Sequence, residues 1–173
     1  MDRKAFFREK RRKAAEKRRQ LRRQMRSCAQ DILCSPNFRR SAAFCQHGRI
    51  SVRSHSLMVA ECSLQIRQKL LRLGIECRER ELVRGALLHD YFLYDWHVKD
   101  KTHRLHGFFH PGTALANAQK EYVLSEREKN IILRHMWPLT PCPPACREAW
   151  IVTAADKYCS LRETLFLRRR RDA

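Results

Sequence analysis

The chain has 173 residues, 43% of them hydrophobic, enough for one globular domain with appendages. Its formal net charge of +19, from 37 Lys and Arg against 18 Asp and Glu, is extreme for that length. Five glycines and few strand-like alternations argue against an all-β fold, and no run reaches the ~18 apolar residues of a membrane span.

Residues 1–27 hold thirteen Lys and Arg against three acids, more than half of the excess charge. Phe7, Ala14, Leu21, Met25, Cys28 and Ile32 recur at helical spacing, which predicts a helix over 3–33 whose other faces are almost wholly basic. Its C-terminal half is expected to pack on the domain and its first half to project. Two readings of the basic faces stay open: a solvated helix that keeps the protein soluble, or a surface for nucleic acid or an anionic membrane. No apolar segment with a cleavage site follows this start, so a cytoplasmic location is expected.

Ser35-Pro36-Asn37 breaks the helix, and a short helical turn is predicted before Gly48. The next strong helix covers 52–73 and ends on Gly74 as its cap. Along it His55, Val59, Cys62, Ile66 and Leu70 or Leu73 share one face, so His55 points inward. A helix over about 79–90 turns Leu82, Ala86 and His89 to the same interior and closes on Asp90. A buried carboxylate at that place needs compensation.

Residues 91–109 lack periodicity and mix aromatics (Tyr91, Phe92, Tyr94, Trp96) with basic groups and His97, His103 and His106. A connection of that length suits a lid or substrate loop, with core packing the competing explanation for its rings. Proline favours a first helical turn, so His110-Pro111 is predicted to cap a helix running to about Tyr122. His110 is the preferred ligand from this region and His106 the alternative.

Ser125-Glu126-Arg127-Glu128 has the form of a capping box; the helix it opens buries Ile131 and Ile132 and delivers His135 before Pro138 stops it. The proline-rich loop 137–146 carries Trp137, expected at the rim of the site. The last helix, about 147–167, aligns Ala149, Val152, Asp156 and Cys159, which puts a carboxylate on an apolar stripe. The expected organisation is therefore an arm at 1–34, an all-α helical domain at 35–167 and a polybasic tail at 168–173.

The eight cysteines (Cys28, Cys34, Cys45, Cys62, Cys77, Cys142, Cys146 and Cys159) lie partly on helical faces, and free thiols in a reducing compartment are expected. Cys142-Pro-Pro-Ala-Cys146 has one residue more than the commonest zinc-knuckle spacing and no second pair, so it reads as a loop.

His55, His89, Asp90, His110, His135 and Asp156 thus converge from five helices. Mixed imidazole and carboxylate donors suit a divalent transition metal: Mn²⁺, Fe²⁺, Ni²⁺, Co²⁺ or Zn²⁺, as one or two ions. His55, His89, Asp90 and Asp156 suffice for one ion. His110 and His135 would either bind a second or stay unmetallated to orient a phosphate or protonate a leaving oxygen. Lys157 and Arg53 are candidates for neutralising a substrate phosphate. Such a site predicts hydrolysis of a phosphoester or phosphoanhydride by water activated at the metal.

The segments Arg53-x-His55-Ser56-x-x-Val59-Ala60, Leu87-Leu88-His89-Asp90, His110-Pro111-x-x-Ala114, His135 and Ala155-Asp156-Lys157, in this order, resemble the HD-domain metal-dependent phosphohydrolases over residues 50–165. The resemblance implies a helical HD bundle in which His55, His89, Asp90 and Asp156 hold a metal. In two-metal members it places His110 and His135 on a second ion, with Asp90 bridging. Small bacterial HD proteins that split dinucleoside polyphosphates have a similar Ala-Asp-Lys ending, which implies a nucleotide or related phosphorylated metabolite as substrate. The Gly-Tyr-Pro signature of the cyclic-dinucleotide subfamily is absent after His135. The basic arm belongs to none of these patterns, and it supports a second expectation: a non-catalytic, metal-stapled HD protein that binds RNA or another polyanion.

Overall fold

The computed structural model describes residues 3–47, 50–94 and 106–169, without the side chains of Lys4, His47, His106 and 166–169. Among the described residues it is a helical bundle of α1 (Arg3–Cys34), α2 (Pro36–Arg40), α3 (Val52–Leu71), α4 (Glu79–Leu88), α5 (His106–Glu121), α6 (Glu126–Arg134) and α7 (Arg147–Arg169). A 3-10 turn, Ser41–Ala43, and a small antiparallel hairpin, Cys45–His47 with Ile50–Ser51, join α2 to α3. The hairpin was not foreseen. Its short strands lack the alternation that announces longer ones.

The apolar periodicities decide which faces are buried. On α1 the stripe becomes core only from Leu21 onward, through Met25, Ala29 and Ile32, while Phe7 stays exposed. A non-helical residue, Ala29 at φ −147°, kinks α1 where it settles on the domain. On α3 His55, Val59 and Leu64 are buried, and the open choice at its end resolves to a half-buried Leu70 over an exposed Leu73. Gly74 follows at φ 73°, a left-handed cap that favours glycine. Every residue of α4 from Leu82 to Leu88 is buried, so this helix is the axis of the bundle.

Two ion networks built on buried Arg84, Glu128 and Glu148 fix the neighbours of α4. Arg84 Nη1 donates to both oxygens of Asp31 on α1 (2.7 and 2.6 Å), and its Nε donates to Glu128 on α6 at 2.6 Å. Glu128 also closes the capping box with Ser125, as the sequence predicts. Buried Glu148, at the start of α7, accepts from the Arg78 amide at 2.7 Å and from Arg127 at 3.0 Å. Gly85 lets α4 and α6 touch: a Cβ there would lie 2.5 Å from Ile131 Cδ1.

One predicted boundary is corrected. α5 begins at His106, so His110 sits inside the helix and not at its cap, with Pro111 after it. Proline there removes only the bond its missing N–H would have made to Gly107, and the chain stays helical on both sides. Tyr91 and Phe92 are core residues: Tyr91 Oη donates to Glu121 at 2.9 Å and the Phe92 ring meets His110 edge-on. Tyr94 packs beside Phe92 with ring centroids 5.3 Å apart, and the end of the predicted lid, 106–109, is the start of α5. Trp96, His97 and His103 lie outside the described residues, as does the tail from 170.

All eight cysteines are free thiols. Cys142 is exposed, and the Cys146 thiol approaches Asn130 Oδ1 at 3.8 Å. No helix among the described residues is long and apolar enough to cross a membrane.

Candidate metal centre

Five helices deliver the six predicted residues to one buried cluster. His55 comes from the first turn of α3, where the Ser51 side chain caps the helix by accepting from the Ser54 amide. His89 and His135 occupy equivalent positions at the C-terminal ends of α4 and α6. Asp90 follows His89, His110 comes from α5 and Asp156 from the middle of α7. All six are at most 7% exposed.

The tautomers follow from the partners. His89 Nδ1 lies 2.8 Å from the Ala86 carbonyl and His135 Nδ1 lies 2.8 Å from the Ile132 carbonyl. A carbonyl only accepts, so each Nδ1 carries a proton, and in the neutral ring Nε2 presents its lone pair. His55 Nδ1 faces both Glu163 oxygens, at 3.0 and 3.2 Å, with the same consequence. Three imidazoles are thereby pinned from behind, the arrangement by which outer groups orient histidine ligands.

In front of them the distances are short. His55 Nε2 is 3.0 Å from Asp156 Oδ1 and 3.7 Å from Asp90 Oδ2. His89 Nε2 is 3.2 Å from Asp90 Oδ2 and 3.8 Å from Asp156 Oδ1. Asp90 Oδ1 faces His110 Nε2 at 3.1 Å and His135 Nε2 at 3.4 Å, and those two nitrogens are 2.9 Å apart. Asp90 is therefore the hub.

Proximity is not the same as hydrogen bonding. His89 Nε2 and Asp90 Oδ1, both fully buried, have no hydrogen-bond partner despite these close approaches, because the directions are wrong. Buried polar atoms are rarely left so. Donor atoms that crowd a common point without bonding to one another fit a shared cation. Two overlapping groups, His55-His89-Asp156 and His89-Asp90-His135, have ligand atoms within 4.8 Å of one another and are able to hold a metal ion.

The electrostatics agree. Burial opposes charge on His55, but its hydrogen bonds to the Asp156 and Glu163 carboxylates prevail and raise its pKa to about 9. Burial is likewise overcome at His89 by the negative charges of Asp90 and Asp156 beside it, which raise it to about 10. Asp90 and Asp156 are pushed up by burial, yet the imidazoles around them hold both carboxyls well below 3.8. His135 is lowered by burial, which Asp90 only partly offsets. The two carboxylates thus attract positive charge, which protons on His55 and His89 supply and a metal cation would replace.

Two neighbours were not foreseen. Glu163 lies seven residues after Asp156, two turns along the same stripe of α7, and the spacing would have revealed it. Gln46, on the hairpin, donates from Nε2 to Asp90 Oδ2 at 2.6 Å. No periodicity announces it. Lys157 stands at the edge of the cluster, its Nζ 3.0 Å from the His135 carbonyl and 3.5 Å from Asp156 Oδ2. Arg53 lies with its guanidinium 5.9 Å from the Phe38 ring centroid and its Nε buried without a hydrogen-bond partner. The Trp137 ring packs edge-on against Trp150, with centroids 4.9 Å apart. The His106 side chain lies outside the description.

A model of the HD domain family matches residues 52–161, which contain all six clustered residues. The chain belongs to the HD-domain family, the superfamily of metal-dependent phosphohydrolases. No curated protein and no solved structure matches it.

Proposed function

We propose that the protein is a metal-dependent phosphohydrolase that cleaves a phosphoester or phosphoanhydride of a nucleotide or related phosphorylated metabolite. The observation that carries this reading is the buried pair of unpartnered atoms, His89 Nε2 and Asp90 Oδ1, inside a cluster of four imidazoles and two carboxylates. His55, His89, Asp90 and Asp156 are the residues that would hold one divalent transition ion, Mn²⁺, Fe²⁺, Ni²⁺, Co²⁺ or Zn²⁺. Such an ion supplies activated water and positive charge toward a phosphoryl oxygen.

The chain's own residues divide the remaining work. Glu163, Ala86 and Ile132 orient the rings, and Gln46 holds Asp90 in place. His110 and His135 would, with Asp90, hold a second ion, or else act directly on the phosphate. In the latter role His110 is the donor: His135 Nδ1 already carries its ring's proton, so the 2.9 Å contact requires a proton on His110 Nε2 when both rings are neutral. A phosphate or leaving oxygen that replaces His135 as the acceptor would receive the His110 Nε2–H. Lys157 adds a cation at the edge, and Arg53 is the weaker candidate for the same task. Residues 35–167 form the hydrolytic unit in this reading.

The test is phosphate release from a panel of nucleotides and sugar phosphates, by protein loaded in turn with each of the five metals. Wild type is expected to turn over a subset, with Asp90→Ala inactive but folded. Metal-loaded wild type that is silent across the panel would count against hydrolysis of these substrates. It would favour a binding role for the HD fold.

A further inference from the structure

On the far side of Glu163 from His55 lies a second concavity, between α1, α3 and α7, with a volume of about 1040 Å³. Its floor is apolar, formed by Leu21, Met58, Cys62 and Cys159. Its lining has six basic residues, Arg11, Lys17, Arg18, Arg19 and Arg22 on α1 and Arg162 on α7, against two acids, Glu61 and Glu163. The acids leave most of that charge uncompensated: Glu163 is committed to His55, and Glu61 faces both Arg18 and Arg22 at 3.6 Å. At one wall Tyr158 is 52% exposed, with the Arg162 guanidinium 5.5 Å from its ring centroid.

We propose that this groove binds single-stranded nucleic acid, independently of the phosphohydrolase reading. Phosphates lie along the arginines of α1, and an unpaired base stacks on Tyr158 beside Arg162. Basic tracks combined with aromatic platforms are how proteins hold single strands without reading sequence. A lone mononucleotide is the poorer fit, because the basic stripe of Arg11, Arg18 and Arg22 continues along α1 past the groove to exposed Arg8. A duplex keeps its bases stacked inside and offers none to the Tyr158 ring. A bilayer surface is disfavoured because the apolar floor is sunk between three helices, with Leu21 only 2% exposed.

The experiment is fluorescence anisotropy of a labelled twelve-residue oligouridylate with the full chain, over a series of salt concentrations. Binding is expected to weaken linearly on a log–log salt plot. Tyr158→Ala combined with Arg162→Ala is expected to weaken it about tenfold to a hundredfold. Lys13→Ala with Arg23→Ala, on α1 outside the groove, removes two charges instead of one and is expected to cost less than about threefold. Both double variants replace exposed side chains, and unchanged metal content and melting temperature verify their folds.

A 4-thiouridine version of the oligomer is expected to cross-link to α7 around Tyr158. Equal losses in the two variants, or cross-links confined to α1, would reduce the effect to diffuse charge and overturn the proposal. Displacement of the oligomer by an equal concentration of ADP would overturn it in favour of a nucleotide pocket. Tight binding to phosphatidylserine vesicles without oligomer binding would do so in favour of a membrane.

Discussion

At the residue scale the site is a balance between burial and pairing. Two carboxylates are held ionised in the interior, and two imidazoles take up protons to answer them. Because His55 and His89 are raised from 6.5 to about 9 and about 10, their charged pairs stabilise the metal-free fold fully below about pH 6.5. That contribution is lost as pH climbs through 9 and 10. The depressed carboxyls act in the opposite sense, contributing above 3.8 and losing that contribution as pH falls below it. Metal-free protein is therefore expected to melt at progressively lower temperature from about pH 6.5 to 10 in calorimetry. A flat profile over that window would contradict the pairing. Near pH 7.5, calorimetry in buffers of different ionisation enthalpy is expected to show proton release on metal binding, about two per ion if both imidazoles give way.

Glu163 gives a second prediction at this scale. It touches no predicted ligand except His55, so Glu163→Gln keeps the packing but weakens the hold on Nδ1. Metal affinity, measured by competition with a chromophoric chelator, is expected to fall about 10- to 100-fold with the fold intact. Asp156 was legible because a carboxylate interrupted an apolar stripe. Glu163 extends that stripe by two turns and was legible in principle. Gln46 was not, since a residue in a short, non-alternating hairpin carries no signal of what it will face.

At the element scale the bundle depends on how closely α4 meets its neighbours. Gly85→Ala would place a methyl 2.5 Å from Ile131 Cδ1 and 2.8 Å from its Cγ2, contacts that only a shift of α6 relieves. A loss of about 1–3 kcal/mol is expected in urea denaturation, and little of it when Ile131→Ala is made in the same chain. Arg84→Ala strands Glu128 in the interior without its cation, and a larger loss, about 3–5 kcal/mol, is expected. Helix periodicity revealed α3, α6 and α7 almost to the residue because each has one wet face. It misplaced the start of α5, where proline was read as a beginning although a helix tolerates it one turn or so inside. The rings of Tyr91 and Phe92, which loop composition offered to a substrate, went instead to the core, where burying apolar area is worth more than exposing it.

At the scale of the whole molecule, two physical regimes meet along α1. From Leu21 onward it is an ordinary core helix, tied to α4 through Asp31 and Arg84. Before that it is a basic surface with almost nothing buried, with Arg18 reaching Glu61 on α3. The HD ordering of ligands was readable because histidine and aspartate on apolar faces demand an explanation. The groove between α1, α3 and α7 was not, since it arises only when the kinked arm lies across two helices distant in sequence.

The central claim is that these six side chains form a metal site. Inductively coupled plasma mass spectrometry of purified protein, after reconstitution with each candidate ion and desalting, tests it most directly, with His89→Ala and Asp90→Ala measured beside wild type. One or two equivalents of a divalent transition metal in wild type, largely lost in both variants, is the predicted result. No retained metal in wild type, or equal metal in all three proteins, would contradict it.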